Sequence, residues 1–155
     1  MSEKSLVIIK PDGVQRHLMG RIIQRYEDAG LQVLAMRFGV AEAAQVEAHY
    51  QEHKGKPFFQ GLIDYITQGP SLFFVLGGMN AIDKIRAMNG ATEPSSAAPG
   101  TIRGDFAHMG YGDKPLYNLV HASATPEEAA HEISVWFSDD EVVDFSHTDA
   151  DFHGA

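Results

Sequence analysis

The stretch Tyr117-Asn118-Leu119-Val120-His121-Ala122-Ser123-Ala124-Thr125 is followed directly by Pro126-Glu127-Glu128. Its apolar run predicts a strand over residues 116–120, with His121 at the C-terminal end of that strand. Thr125, Pro126 and Glu128 have the spacing of a helix N-cap, first turn and capping box, which predicts a helix over residues 126–137. A histidine at this junction is either a buried, hydrogen-bonded residue or a nucleophile or base, and the stretch alone favours the first reading.

Three more strands are predicted upstream of this unit, over Ser5–Ile9, Leu31–Val40 and Ser71–Leu76. The first and the third are short continuous apolar runs, which is typical of buried strands. The second alternates, and its pattern places Leu34, Met36 and Phe38 on one face.

Helical spacing of apolar residues predicts four helices between these strands, over residues 20–29, 41–53, 58–68 and 80–88, the last capped by Asn80. The order indicates an α+β fold, the ferredoxin-like βαββαβ sandwich, with a four-stranded antiparallel sheet and helices covering one face. Because no repeat or linker interrupts the pattern, residues 1–155 are predicted to form a single domain. Residues 138–155 form its acidic C-terminal tail.

Composition narrows the possible classes of protein. The chain has no cysteine and a formal net charge of −9, which disfavours disulfide or thiolate chemistry and sequence-independent binding to nucleic acid. No apolar run is long enough for a membrane span, and the N-terminus enters a strand-like run without a signal peptide. We therefore expect a cytoplasmic protein with no membrane or nucleic-acid partner.

One motif suggests a metal site. His49-Tyr50-Gln51-Glu52-His53 matches the H-x-x-E-H pattern of some zinc enzymes. A zinc site also needs a third ligand, and the sequence nominates none. We interpret His49 and His53 as solvent-facing helix residues and predict no metal site in the protein, while a zinc hydrolase remains a rival hypothesis.

Phosphate binding would have to rely on side chains, because neither a P-loop nor a G-x-G-x-x-G motif is present. Lys10, Arg86 and Arg103 lie at element ends or in an irregular region, and Lys10 begins the predicted turn Lys10-Pro11-Asp12-Gly13. Each could hold an anion or be an ordinary surface cation. Glu132, about two turns into the last predicted helix, could face back to His121 and fix its tautomer, with Ser123 as a bridge.

Four blocks of sequence, taken together and in this order, resemble the nucleoside diphosphate kinase family over residues 6–145. They are Lys10-Pro11-Asp12-Gly13-Val14-Gln15-Arg16, Pro57-Phe58-Phe59, Pro99-Gly100-Thr101-Ile102-Arg103-Gly104-Asp105-Phe106 and Asn118-Leu119-Val120-His121-Ala122-Ser123. The resemblance implies the ferredoxin-like fold and a ping-pong transfer of the γ-phosphoryl group from ATP to a nucleoside diphosphate through phosphohistidine.

The resemblance also implies a role for each matching residue. His121 would be the nucleophile, positioned by Tyr50 and Glu132, with Ser123 supporting Glu132. The nucleotide would be bound by Lys10, Phe58, Leu62, Arg86, Thr92, Arg103 and Asn118. Mg²⁺ would be carried on the phosphates of the nucleotide. The substrates would be ATP, ADP and other nucleoside di- and triphosphates, and the assembly a homohexamer, with a tetramer or dimer as alternatives.

The chain departs from the commonest family pattern in three places. The segment between Phe106 and Asn118 is longer, Ala122 and Ala124 replace the commoner glycine and aspartate, and the C-terminal tail differs. The main alternative hypothesis is a binding protein, such as a regulatory or interaction module, that kept the fold and lost catalysis.

Overall fold

The computed structural model describes residues 2–108 and 117–145. Within these residues four strands form one sheet: β1 (Ser2–Ile9), β2 (Gln32–Val40), β3 (Pro70–Met79) and β4 (Val120–Ala122). Their order is β2-β3-β1-β4, and every neighbouring pair is antiparallel. This arrangement confirms the predicted ferredoxin-like sheet.

Seven α-helices connect or follow the strands in the described part of the chain. They are α1 (Pro11–Gln15), α2 (Met19–Asp28), α3 (Ala43–His49), α4 (Phe59–Thr67), α5 (Ala81–Asn89), α6 (Ile102–Phe106) and α7 (Pro126–Trp136). Single 3₁₀ turns lie at Gln51–His53, Pro94–Ser96 and Asp139–Glu141. Among these described helices, none has the length and apolar character needed to cross a bilayer.

The helices cover both faces of the sheet, so the prediction of one covered face is wrong. On one face Val7, Ile9 and Phe74 pack against α2 and α5 through residues such as Ile22 and Ile85. On the other face the sheet packs against α3, α4 and α7, through Val46, Ile66 and Trp136 among others. Both faces of β1 and β3 are therefore buried, and this explains why their sequences are continuous apolar runs.

The strand that carries His121 is shorter and later in the chain than predicted. It spans Val120–Ala122, so His121 lies at its centre and pairs with Ile8 of β1. The preceding residue, Leu119, has a positive φ of 67°, a conformation in which a strand cannot continue. The N–H of Leu119 is 3.1 Å from Oδ2 of Asp12, which accepts its hydrogen bond.

Strand β2 contains a bulge that the alternating pattern did not reveal. Val33 pairs with Leu76 and Ala35 with Val75, so Leu34 is an extra residue. An extra residue reverses the face of every side chain after it. Leu34 is therefore buried on the α3 side, whereas Met36 and Phe38 lie on the opposite side and are half exposed, which corrects the prediction that all three share one face.

Three local predictions are also corrected. The predicted turn over Lys10–Gly13 is instead the start of helix α1, with Lys10 at the N-cap and Pro11 at the first helical position. Helix α3 ends at His49 rather than at residue 53. Asn80 precedes α5 in a left-handed conformation, φ 51°, and makes no side-chain capping bond.

The described part of the acidic tail lies along β1 and β2. The N–H of Val143 donates to the carbonyl of Leu34 at 2.8 Å, and Lys4 pairs with Asp144 at 2.7 Å. The long segment before Asn118 consists largely of residues 109–116, and the remainder of the tail consists of residues 146–155. Both ranges, including Leu116 and Phe152, lie outside the described residues.

Candidate active site

A cavity of about 700 Å³ opens beside β4, between the start of α4 and the end of α5. Nearly all of the residues predicted from the resemblance line it: Lys10, Tyr50, Phe58, Leu62, Arg86, Thr92, Arg103, Asn118 and His121. These side chains come from distant parts of the chain, and the antiparallel order of the sheet brings them together. Glu132 and Ser123 do not line this cavity, and they lie behind His121.

The pair of His121 and Glu132 has the predicted geometry. Nε2 of His121 lies 2.7 Å from Oε2 of Glu132, which is 5% exposed and lies on α7. A carboxylate can only accept, so this contact places the imidazole proton on Nε2. Nδ1 of His121 is then the ring atom with a free lone pair.

Burial and charge keep this pair in those protonation states. Burial, with His49 nearby, lowers the pKa of His121 to about 4, although Glu132 opposes the shift. Burial would raise the pKa of Glu132, but the two histidines together hold it well below its usual range. At neutral pH the site therefore contains a neutral imidazole against an ionised carboxylate.

Helix α7 is positioned by the capping interaction that the sequence predicted. Oγ1 of Thr125 accepts from the N–H of Glu128 at 3.1 Å. The Glu128 carboxylate reaches back to the N–H of Ala124, also at 3.1 Å, rather than to that of Thr125. The cap fixes the start of α7 next to β4, and this places Glu132 against His121.

His49 is buried, so its interpretation as a solvent-facing residue is wrong. Its side chain is 1% exposed, and its Nε2 lies 3.0 Å from Oε2 of Glu132. Ligand atoms of His49, His121 and Glu132 all lie within 4.8 Å of one another, a set that could hold a metal ion. Oε2 of Glu132 is hydrogen-bonded to Nε2 of His121, and Nδ1 of His49 accepts from Nε1 of Trp136, whereas Nε2 of His49 has no hydrogen-bond partner among the described residues. We therefore interpret the set as a buried polar cluster. His53, the other histidine of the motif, is partly exposed and lines the cavity.

Lys10 is a buried cation in the cavity wall. Its Nζ donates to Oδ1 of Asn118 at 2.7 Å and lies 5.0 Å from the centroid of the Tyr65 ring. Burial, together with the charge of Arg103, lowers the pKa of Lys10 to about 8. A partly desolvated ammonium of this kind is ready to pair with an anion that enters the cavity.

Arg103 is held in place by the backbone around it. Its Nε donates to the carbonyl of Asn118 at 3.1 Å, its Nη1 to that of Gly90 at 2.9 Å and its Nη2 to that of Val120 at 2.7 Å. A guanidinium has five N–H donors, so two remain for an anion. Burial lowers the pKa of Arg103, and the charge of Arg86 acts in the same direction.

The outer wall of the cavity is more exposed. Phe58, at the start of α4, is 51% exposed, and its ring packs edge-on against His53 at 5.3 Å. Arg86 and Thr92, from α5 and the loop after it, are exposed on the opposite side. An aromatic face across from cationic and hydroxyl groups suits a ligand with a flat ring at one end and phosphates at the other.

The expected support of Glu132 by Ser123 is not found. Oγ of Ser123 accepts from the N–H of Leu6 at 3.1 Å, and Oε1 of Glu132 has no hydrogen-bond partner in the described chain. Tyr50, by contrast, lies beside the nucleophile as expected, with its ring edge-on to His121 at 6.2 Å. Burial raises the pKa of Tyr50, and the Glu132 carboxylate adds to that shift, so its hydroxyl stays protonated.

The sequence did not reveal three residues that support the site: Asp12, Tyr65 and His49. Asp12 is buried, accepting from the hydroxyl of Tyr65 and from the N–H of Leu119, and so links α1 and α4 to β4. No pattern in the sequence pairs Asp12 with Tyr65. His49 did carry a signal, the H-x-x-E-H motif. That motif was interpreted with His53 as the second residue of the site, whereas the neighbours of His49 are Glu132 and Trp136.

Comparisons with known proteins agree with this geometry. A family model described as nucleoside diphosphate kinase matches residues 3–142. This chain belongs to the nucleoside diphosphate kinase family. A nucleoside diphosphate kinase from Methanosarcina barkeri is 50% identical over 147 residues, which are 95% of each chain. One from Archaeoglobus fulgidus is 49% identical, over 97% of this chain and 96% of the relative.

Solved nucleoside diphosphate kinase structures share the fold. A halophilic member from Halobacterium salinarum, in complex with CDP, has a TM-score of 0.87 and 41% identity, covering 99% of this chain and 98% of that one. A transition-state mimic of the Borrelia burgdorferi member, with bound vanadate and ADP, has a TM-score of 0.89 and 35% identity, covering 96% and 94%. These matches confirm the fold and the family predicted from the four sequence blocks.

Proposed function

We propose that this chain is a nucleoside diphosphate kinase that carries the phosphoryl group on Nδ1 of His121. The observation that carries the proposal is the contact between Nε2 of His121 and Glu132 in the wall of a cavity with a cationic lining. That contact leaves a neutral ring with its lone pair on Nδ1, the form that a nucleophilic imidazole requires.

In the first half-reaction, the Nδ1 lone pair attacks the γ-phosphorus of a nucleoside triphosphate. The P–N bond forms as the bond from the γ-phosphorus to its bridging oxygen breaks, and the diphosphate leaves with that electron pair. The phosphorylated ring carries a positive charge while Nε2 keeps its proton, so the ionised carboxylate of Glu132 stabilises it.

In the second half-reaction, a terminal oxygen of a different nucleoside diphosphate attacks the phosphorus on His121. The P–N bond breaks and its electron pair returns to Nδ1, which regenerates the neutral imidazole. One cavity can serve donor and acceptor in turn because the two half-reactions are separated by the phosphohistidine, and both substrates are nucleotides.

The lining of the cavity supports the proposed roles in nucleotide binding. Lys10, Arg86 and Arg103 supply positive charge for the phosphates, and Thr92 a hydroxyl. Asn118, bonded to Lys10, would reach the ribose, while Phe58 and Leu62 would form the apolar surface under the base. Stacking without hydrogen bonds to the base edges would tolerate different bases.

The donor set of the cavity fits a magnesium ion that arrives with the nucleotide. Among the described lining residues the only carboxylate is that of Glu128, which already accepts from the N–H of Ala124. Mg²⁺ prefers oxygen ligands and keeps phosphates and water in its shell, so the nucleotide would supply most of its ligands. When bound, the ion would neutralise part of the phosphate charge.

The proposal includes one domain over residues 1–155, a homohexamer and a cytoplasmic location. A half-exposed apolar row on the edge strand β2 supports an assembly of subunits, since exposed edges of this kind are commonly covered.

The decisive experiment is labelling with γ-³²P-ATP and Mg²⁺ in the absence of an acceptor. We expect the wild-type protein to retain a label that is lost in acid, survives base and moves to added GDP. His121→Ala should retain none, and a control with His17→Ala, at an exposed position outside the cavity, should label normally.

Two results would contradict the proposal. A wild type that binds ATP but stays unlabelled would identify a binding protein without catalysis. Equal labelling of His121→Ala would place the nucleophile on another residue.

A further inference from the structure

We propose that Glu128 makes the nucleotide cavity selective for nucleotides that carry Mg²⁺: its carboxylate attracts the ion and repels phosphates that lack one. The inference rests on the proposed function and deepens it, since it concerns which form of the nucleotide the same cavity accepts. Glu128 is then a specificity-determining residue that faces the bound nucleotide.

A single carboxylate, that of Glu128, is found among the described residues that line the nucleotide cavity. It shares this lining with the cationic side chains of one lysine and two arginines. Glu132, the other carboxylate near the nucleophile, does not line the cavity, and its Oε2 is hydrogen-bonded to Nε2 of His121. Glu128 is therefore the carboxylate of this site that a ligand of the cavity meets.

Glu128 lies at the end of the cavity where phosphate must react. It lines the nucleotide cavity and also a second cavity of about 460 Å³ between α3 and α7. His121 lines both cavities too, so Glu128 and the nucleophile lie at the same boundary. A phosphate that is transferred to His121 must reach this boundary, together with any ion that it carries.

The Glu128 carboxylate is held through one oxygen atom. Its Oε2 accepts from the N–H of Ala124 at 3.1 Å, and the N–H of Glu128 itself donates to Oγ1 of Thr125, also at 3.1 Å. Among the described residues no lysine, arginine or histidine forms a salt bridge with this carboxylate. Its second oxygen, Oε1, is therefore available to a ligand of the cavity.

The chemistry of Mg²⁺ matches this arrangement. The ion takes oxygen ligands, keeps several waters, and is commonly held by one or two carboxylates together with the phosphates of a substrate. The nucleotide would supply the phosphates, and Glu128 supplies the one carboxylate that the described lining contains.

The negative charge of Glu128 determines the sign of the selectivity. Lysine and arginine attract metal-free phosphates more strongly than phosphates that carry Mg²⁺, because the metal-free form has more negative charge. A cavity lined by cations alone would therefore favour the metal-free nucleotide. A carboxylate beside the phosphates reverses this preference, because it repels the bare phosphates and attracts the ion.

The test measures the Kd of ADP by calorimetry, once with saturating Mg²⁺ and once with EDTA in its place. We expect the wild-type protein to bind ADP about threefold more tightly with Mg²⁺ than without it. Compared with the wild type, Glu128→Gln should bind metal-free ADP about threefold more tightly and Mg²⁺-ADP about threefold more weakly. The substitution keeps an acceptor oxygen for the N–H of Ala124 and removes only the charge.

Glu127→Gln is the matched control. It removes the same charge from the same first turn of α7, at an exposed position that does not line the nucleotide cavity. Both of its Kd values should equal those of the wild type.

Binding of Mn²⁺ gives a second readout that does not depend on turnover. Mn²⁺ accepts the same kinds of oxygen ligand, and electron paramagnetic resonance measures how much of it stays free. Because the coupling between metal and nucleotide is reciprocal, the affinity of Mn²⁺ for the protein–ADP complex should fall about tenfold in Glu128→Gln.

The inference is overturned if Glu128→Gln keeps the wild-type ratio of the two Kd values, or if Glu127→Gln changes that ratio equally. Should Glu128→Gln fail to fold, as judged by circular dichroism, the wild-type protein still provides a test, because equal affinities with and without Mg²⁺ would overturn the inference. Failure of the proposed function is distinct: the wild type would then remain unlabelled by ATP, whereas the selectivity can fail in a protein that labels normally.

Discussion

Two buried bases in the cavity wall are shifted towards their neutral forms. Burial lowers the pKa of His121 to about 4 and that of Lys10 to about 8. For His121 this shift is useful, because the neutral ring is the nucleophile. For Lys10 the useful form is the cation, which still predominates at neutral pH and which a bound phosphate would stabilise further.

The shift of Lys10 makes nucleotide binding sensitive to alkaline pH. Because the pKa of Lys10 is lowered from 10.5 to about 8, the free protein loses the Lys10 proton near pH 8. We expect a bound phosphate to stabilise the cation and so to hold that proton. Binding then takes up a proton above pH 8, and affinity falls as pH rises. We expect the Kd for ADP to be about tenfold higher at pH 9 than at pH 7, as measured by calorimetry.

Lys10→Met is the control for this prediction, because it keeps the length of the side chain without the charge. Its ADP affinity should be weaker throughout and flat between pH 7 and pH 9. Tyr50 and Tyr65 do not titrate in this window, since desolvation raises the pKa of both. A flat profile in the wild-type protein would contradict the shift of Lys10.

At the scale of helices and strands, the sequence predicted those features that depend on contacts between residues close together in the chain. The start of α7 was readable because Thr125 caps it within the same short stretch. The bulge at Leu34 and the short length of β4 could not be predicted, because both depend on partners far away in the chain. Leu119 adopts a positive φ while its N–H is held by Asp12, a contact across 107 positions.

The same distinction explains which parts of the site could be predicted. Lys10, Arg103 and His121 were candidates by their positions in the sequence, the family resemblance assigned their roles, and the fold brings them to one cavity. His49 was placed on the wrong side of its helix, because nothing near it in sequence shows that α7 covers it. Its partner Trp136 is 87 positions away.

Asp12 stabilises the junction between α1, α4 and β4. It accepts from the hydroxyl of Tyr65 and from the N–H of Leu119, and it is 9% exposed. Asp12→Ala leaves both donors buried without an acceptor, each at a cost of about 1–3 kcal/mol. We expect the free energy of unfolding in urea, at one fixed protein concentration, to fall by about 2–4 kcal/mol.

Asp12→Asn is the matched variant, because it keeps one acceptor oxygen in the same place. It should lose less than half as much stability as Asp12→Ala. Equal midpoints for the alanine variant and the wild type would show that these two hydrogen bonds do not hold the junction.

At the scale of the whole molecule, the described residues leave one edge of the sheet incompletely covered. The order β2-β3-β1-β4 makes β2 an edge strand, and Met36, Phe38 and Val40 on it are 48%, 57% and 61% exposed. The bulge at Leu34 turns this row outward. No other described strand pairs with this edge of β2, and an apolar row there favours association. A second copy of the chain is the partner that the proposed homohexamer supplies.

Phe38→Lys tests whether this row is an interface between subunits. Burying an unpaired ammonium in an apolar contact costs several kcal/mol, so the substitution should dissociate the assembly. Sedimentation equilibrium should give a mass near six times 17.0 kDa for the wild type and a smaller multiple for Phe38→Lys. Met79→Lys puts the same charge on a 72% exposed apolar residue outside β2, and it should keep the wild-type mass. If Phe38→Lys also keeps that mass, the β2 row is not an interface, and a monomeric wild type would exclude the hexamer itself.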